Sequence, residues 1–156
     1  MSVTYTAEIS GTPTLTVEIS STAIRLRAGS DSYASIVAQF SAALATALST
    51  RTGETLTVYR NATEICTVDI DSIRSDVGAQ RASISVAGHD TISWGTPGSH
   101  TLSGVAYYNS ANNYRTLVDL DIKPGDEATG PGGTFTIGLV TINANASGET
   151  MDLSEG

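Results

Sequence analysis

Three segments decide the fold class: Val3-Thr-Tyr-Thr-Ala-Glu-Ile9, Leu15-Thr-Val-Glu-Ile19 and Ile24-Arg-Leu-Arg27. Val3, Tyr5, Ala7 and Ile9 fall on one side of a period-2 pattern, with Thr4, Thr6 and Glu8 on the other. Gly11-Thr12-Pro13 marks a turn, after which Leu15, Val17 and Ile19 alternate with Thr14, Thr16 and Glu18. Ile24 and Leu26 then alternate with Arg25 and Arg27. Strict apolar/polar alternation is the mark of antiparallel strands with one solvated face.

Outward from this stretch the pattern mostly repeats. Leu56 and Val58 alternate with threonines, Asn61-Ala62 supplies a turn, and Ile65 to Ile70 returns as the second strand of a hairpin. Further strands are expected at 81–87, 103–108, 114–122, 134–143 and 149–153. Pro124-Gly125-Asp126 and Gly130-Pro131-Gly132-Gly133 are expected turns, and 88–100 reads as a loop. One segment breaks the period. Ile36, Phe40, Ala43, Leu44, Ala47 and Leu48 recur at three- and four-residue steps, which predicts a helix over 41–50. Asp31 or Ser32 is a candidate cap if the helix begins early, Gly53 can follow its end, and Arg51 suits the negative end of its dipole. The expected class is all-β with one short helix, built as two small related antiparallel β-barrel or sandwich units in tandem.

The tandem reading comes from an internal match. Shifting the chain by 81 residues aligns Ile24–Val37 with Val105–Val118 without a gap, placing Tyr33 on Tyr114, Ser35 on Thr116 and Ile36 on Leu117. Weaker matches join 53–58 to 133–137 and 82–88 to 150–156. The expected boundaries are 1–88 for the first unit, 89–94 for a linker and 95–156 for a shorter second unit. Because 114–122 is strand-like, the match also predicts a strand over 33–40.

Composition removes several function classes. The 156 residues include 16 acidic and 8 basic side chains, a formal net charge of −8. Binding to nucleic acid or to anionic lipid needs a Lys/Arg surface, so neither partner is expected. No apolar run approaches the roughly 20 residues of a membrane-spanning helix. The opening MSVTYTAEIS lacks a signal peptide's basic and apolar segments, which gives the expectation of a non-secreted protein. Cys66 is the only cysteine, so no internal disulfide forms. Serine and threonine number 19 and 22, and only 15% of residues are charged against a usual ~25%. Such a surface suits packing against neighbours as well as solvation. Residues 1–88 carry 8 acids and 6 arginines and the remainder 8 acids and 2 bases, a difference that suits head-to-tail assembly.

Reactive constellations are sparse. His89-Asp90 and His100 lie near Ser93, Ser99 and Ser103, but no nucleophile-elbow pattern surrounds them. Cys66, between Ile65 and Val68, reads as a buried structural thiol. Asp69 and Asp71 are expected on one strand face, where with Asp76 they offer oxygen ligands to a hard cation. The run lacks the glycine and distal glutamate of a calcium loop, and Arg74 can pair with it. Asp119 and Asp121 are a second same-face pair, without the aromatic platforms of a glycosidase. Gly130–Gly133 lacks the Lys-Ser/Thr of a phosphate loop, and the sequons at Asn61 and Asn145 carry little meaning without a secretory signal. No catalytic, cofactor-binding or metal-binding residue is therefore assigned.

The run Ile24–Tyr33 (IRLRAGSDSY), the hairpin Glu54–Asp71 (ETLTVYRNATEICTVDID) and the closing Ala82–His89 (ASISVAGH) resemble small virion proteins of tailed bacteriophages. They are also similar to β-barrel domains of tail-hub and baseplate proteins, as is Pro124-Gly-Asp126 followed by Thr134-Phe-Thr-Ile-Gly138. The Ala-rich 41–50 segment departs from that pattern. The resemblance implies a non-enzymatic structural subunit of the virion, assembled in the bacterial host cytoplasm. Its partners would be copies of itself and neighbouring virion proteins, with no cofactor or small-molecule substrate. A tail role (tube, tail-tip or baseplate) is the first expectation and capsid decoration the second. A third, from another class, is a carbohydrate- or receptor-binding module using Trp94, Tyr107 and Tyr108 as a stacking platform.

Overall fold

Alternation in the sequence becomes alternation in burial. In the computed structural model, which describes residues 3–77, 82–109 and 112–155, strand β1 (Tyr5–Ile9) buries Tyr5, Ala7 and Ile9. Strand β5 (Thr55–Arg60) buries Leu56 and Val58. The class is all-β with one short helix. The chain divides into two compact units: residues 1–22 with 33–90, and residues 23–32 with 91–156.

In the first unit the hydrogen-bonded strand order is β2-β1-β5-β6-β7-β4, with β2 at Leu15–Glu18, β6 at Thr63–Val77, β7 at Ala82–Thr91 and β4 at Asp31–Gln39. The expected strand over 33–40 is present as β4. Helix α1 is confined to Ala42–Leu48, and its cap is Ser41, whose hydroxyl accepts from the Leu44 N–H at 3.0 Å. The Asn61-Ala62 turn has φ of 48° and 68°, the doubly positive pair that matches the twist of a two-residue hairpin.

Two bulges in β6 set which side chains face inward. Val58 pairs with Cys66 while Tyr59 pairs with Glu64, so Ile65 is an extra residue, and the adjacent Ile65 and Cys66 are both buried. The second bulge falls at Asp71, where Ile70 pairs with Gly88 and Ser72 with Ala87. Gly88 is required there, because a Cβ would stand 2.1 Å from the Asp69 carbonyl oxygen.

In the second unit the strand order is β3-β13-β14-β10-β9, with β3 at Ser21–Arg27, β13 at Leu139–Asn145, β14 at Gly148–Ser154, β10 at Asn113–Thr116 and β9 at Tyr107–Tyr108. A three-stranded sheet has the order β12-β11-β8, with β8 (Ser99–Thr101) parallel to β11 (Glu127–Gly130) and β12 (Gly133–Thr136) antiparallel to it. The strand ladders are not closed into barrels.

Several expectations change. Residues 23–32 count with the second unit: the Ala28 N–H donates to Gly138, and the Trp94 indole donates to the Arg27 carbonyl at 2.8 Å. The expected linker 89–94 begins inside β7, and the expected 88–100 loop contains the end of β7 and the start of β8. β10 stops at Thr116, since the Asp119 carboxylate accepts the Asp121 N–H and turns the chain. The single strand expected at 134–143 is broken at Ile137-Gly138, whose backbone bonds to Asp126, Gly125, Ala28 and Ser154. Finally, the ungapped 81-residue match does not align equivalent faces. Tyr33 is 41% exposed and Tyr114 1%, while Ile36 is 1% exposed and Leu117 70%. A register slip of one residue produces this reversal.

Candidate functional site

The most differentiated surface lies on the β9-β10-β14-β13 part of the second unit. Strand register places Tyr107 opposite Arg115, Arg115 opposite Asp152, and Asp152 opposite Thr141. Cross-strand partners share a face, so these four side chains form one row. The Arg115 guanidinium donates to both Asp152 oxygens, at 2.7 and 3.0 Å, and its carbon lies 5.2 Å from the centre of the exposed Tyr107 ring. The Asp152 carboxylate holds the Arg115 pKa above its already high usual value. Pairing at both oxygens fixes the fork geometry of the guanidinium. Beside the row is a groove of about 330 Å³ bordered by Tyr107, Asn109, Asn113, Thr141, Asp152 and Ser154.

The neighbouring row is Tyr108, Tyr114, Leu153 and Val140. Because successive residues of a strand point to opposite faces, Tyr107 and Tyr108 diverge. Tyr114 is buried between two rings, 5.4 Å from Tyr108 and 5.2 Å from Phe135, nearly parallel to both. Its hydroxyl accepts the Gly132 N–H at 2.8 Å, which satisfies the polar end of a buried ring. The Gly130–Gly133 turn is glycine-rich for a steric reason. A Cβ on Gly130 would meet the Tyr114 ring at 2.5 Å, and one on Gly132 would meet its hydroxyl at 2.7 Å.

A second cluster centres on Asp126, which is 5% exposed. Its carboxylate accepts the Gly98 N–H at 2.9 Å and the Lys123 N–H at 3.0 Å, and lies 2.7 Å from His100 Nε2. Burial pushes the Asp126 pKa up, but the bonds from Gly98, His100 and Lys123 outweigh it and hold the carboxyl below its usual range. The arrangement clasps the 97–98 loop to the 123–126 turn, with both Asp126 carboxylate oxygens engaged in structure.

The residues singled out from sequence are dispersed. Asp71 sits on the second β6 bulge and pairs with His89; the bulge resets the alternation, so Asp69 and Asp71 are not two steps along a regular strand. Asp76 lies farther along β6, opposite Ser83. Among the described residues no group of three His, Cys, Asp or Glu side chains is placed to hold a metal ion. His100 pairs with Asp126. Asp119 and Asp121 lie in a turn and share no strand face. Cys66 is buried opposite Val58. Trp94 bonds to Arg27 and has the Lys123 ammonium 5.8 Å from its ring centre, while Tyr108 is stacked on Tyr114, so the two rings are engaged within the fold. Arg51 does not serve the helix dipole. It is buried and donates to the carbonyls of Ser10 and Pro13 at 2.7 Å each, closing the β1–β2 turn. The contacts of Asp126, Arg51 and the Arg115–Asp152 pair are not visible in the sequence, because each bridges segments 26 to 41 residues apart and no local motif signals them.

The groove is bordered by amides, hydroxyls, the Asp152 carboxylate and one open tyrosine ring. Among the described residues, no helix is long and apolar enough to cross a membrane. No family model and no curated protein matches the sequence. Solved structures are. A tail protein from Neisseria meningitidis MC58 superposes with a TM-score of 0.67 at 8% identity, covering 98% of this chain and 96% of that one. The 43 kDa tail protein of prophage MuSo2 from Shewanella oneidensis superposes with a TM-score of 0.69 at 7% identity, again covering 98% and 96%. Across nearly its whole length, this chain shares the fold of these two tail proteins.

Proposed function

We propose that the chain is a non-enzymatic structural subunit of a bacteriophage tail, a tube, tail-tip or baseplate component. It assembles with copies of itself and with neighbouring virion proteins inside the host cytoplasm. The observation that carries this reading is the whole-length likeness to two tail proteins. The site geometry agrees with it. The paired charges and stacked rings of the second unit stiffen a surface without presenting a nucleophile beside a base, and a stiff sheet surface suits repeated protein–protein contact. A receptor-binding platform of Trp94, Tyr107 and Tyr108 has less support, since Tyr107 and Tyr108 face opposite sides of β9 and Trp94 is occupied by Arg27 and Lys123.

Localisation in the virion tests the proposal. Purified particles labelled through a carboxy-terminal tag on this chain are expected to show the label on the tail in electron micrographs. Disrupting the gene is expected to leave filled heads without functional tails. Label on the head, or normal tails without the protein, overturns the reading.

A further inference from the structure

In the first unit, among the described residues, one end of β6 lacks a neighbour on one side. β6 pairs with β5 only as far as Asp69, whereas its pairing with β7 continues from Ser72 to Val77. Among the described residues, the outer edge of Ser72–Val77 has no strand neighbour. A six-residue edge with backbone donors and acceptors turned outward is a template for another strand. Ser72, Arg74, Ser75, Asp76 and Val77 are exposed, Val77 to 67%.

We propose that this edge pairs antiparallel with the same edge of a second copy of the chain. The occupant follows from register and charge. Along a strand, successive residues turn their N–H and C=O groups to opposite edges, so in a self-paired antiparallel edge any two opposed residues must share the same parity. Arg74 opposite Ser75 is thereby forbidden. Three registers centred within Arg74–Asp76 remain. Centring on Arg74 sets two guanidiniums opposite each other, and centring on Asp76 sets two carboxylates opposite each other. Centring on Ser75 places Arg74 of each copy opposite Asp76 of the other. Opposed unlike charges stabilise a strand pair and like charges oppose it, so charge selects the Ser75 register.

The other face agrees. Ser75 pairs with Ile84 and Ile73 with Val86 across β7, and both β7 partners are buried, so Ile73, Ser75 and Val77 lie on the core side. In the Ser75 register Ile73 of one copy meets Val77 of the other, which covers the exposed valines and extends the apolar side. The two-fold contact is self-complementary. It is smaller than a standard interface, and its dimer is therefore weak and concentration-dependent. The inference rests on strand geometry and holds whichever part of the virion the chain occupies.

The test uses the full chain and two exposed substitutions, Arg74→Asp and Asp76→Arg, with circular dichroism confirming that each variant folds. Sedimentation at rising concentration is expected to show the wild type passing from monomer to dimer. Each variant alone puts like charges opposite one another in every register, and its dissociation constant is expected to rise about tenfold or more. An equimolar mixture of the two restores both attractive pairs, and native mass spectrometry is expected to show the mixed dimer in preference to either homodimer. A wild type that stays monomeric, variants that associate as the wild type does, or a mixture that forms no mixed dimer overturns the proposal. Failure of the tail reading would appear instead in the micrographs and leave these measurements unchanged.

Discussion

The two units reach stability by different means. The first is built on aliphatic strands: Ala7, Ile9, Leu56, Val58, Val68 and Ile84 are each 1% exposed or less and come from four neighbouring strands. The second uses shorter strands, and its integrity depends on particular long-range contacts: the Tyr108–Tyr114–Phe135 stack, the hydroxyl of Tyr114 on Gly132, and the Asp126 clasp. Side chains in the first unit exclude water largely by bulk, and those in the second also hold backbone turns in place. A contiguous aliphatic face tolerates imprecision that a turn fastened to one hydroxyl does not.

Substitutions sharpen this contrast. The largest effect is expected for Val58→Asp or Ile84→Asp, which bury a charge with no partner and should abolish soluble expression. Soluble, folded protein from either would show that the aliphatic face is not a continuous core. Tyr114→Ala removes a ring stacked on both sides and is expected to cost about 3–5 kcal/mol, measured by denaturant unfolding. Tyr114→Phe leaves the stack and forfeits only the Gly132 bond, about 1 kcal/mol. Equal losses for the two would mean that the hydroxyl, and not the ring, organises the turn. In hydrogen exchange, both are expected to loosen the second unit first.

A modest effect of similar size, and the one with a pH signature, concerns Asp126. Its carboxyl pKa is lowered by folding. Its stabilising contribution is thus complete above the unfolded aspartate value of about 3.9 and is lost as pH falls through the lower folded value. Asp126→Asn is expected to cost about 1–2 kcal/mol at neutral pH and to flatten the fall of Tm below about pH 4. An unchanged acid slope would show that other carboxylates govern acid unfolding.

Divided at residue 88, the sequence looks like a mildly acidic unit followed by a strongly acidic one. In the folded chain Arg25, Arg27 and Asp31 belong with the second unit and Asp90 with the first, so each unit carries eight acids and four bases. The asymmetry that suggested head-to-tail attraction disappears. The opposed charges that bear on association are instead Arg74 and Asp76, two residues apart on one strand.

What was legible in advance is local. Strand positions from Tyr5 to Ile70, the Asn61-Ala62 turn and the short helix are written in side-chain period and turn chemistry, which depend on residues a few places apart. The bulges at Ile65 and Asp71 and the break at Ile137-Gly138 were not, because each is fixed by backbone partners on another strand or turn. The same holds for the candidate surface. Tyr107 was visible as an aromatic residue, but its partnership with Arg115 and Asp152 exists only once β9, β10 and β14 lie in register. The sequence by itself determined that the chain is an alternating β protein with an acidic, sparsely charged surface. Tertiary structure alone decided which strands are neighbours, to which unit residues 23–32 belong, and that the end of β6 lacks a partner on one side among the described residues, since hydrogen bonding between strands is non-local and a one-residue shift exchanges inside for outside.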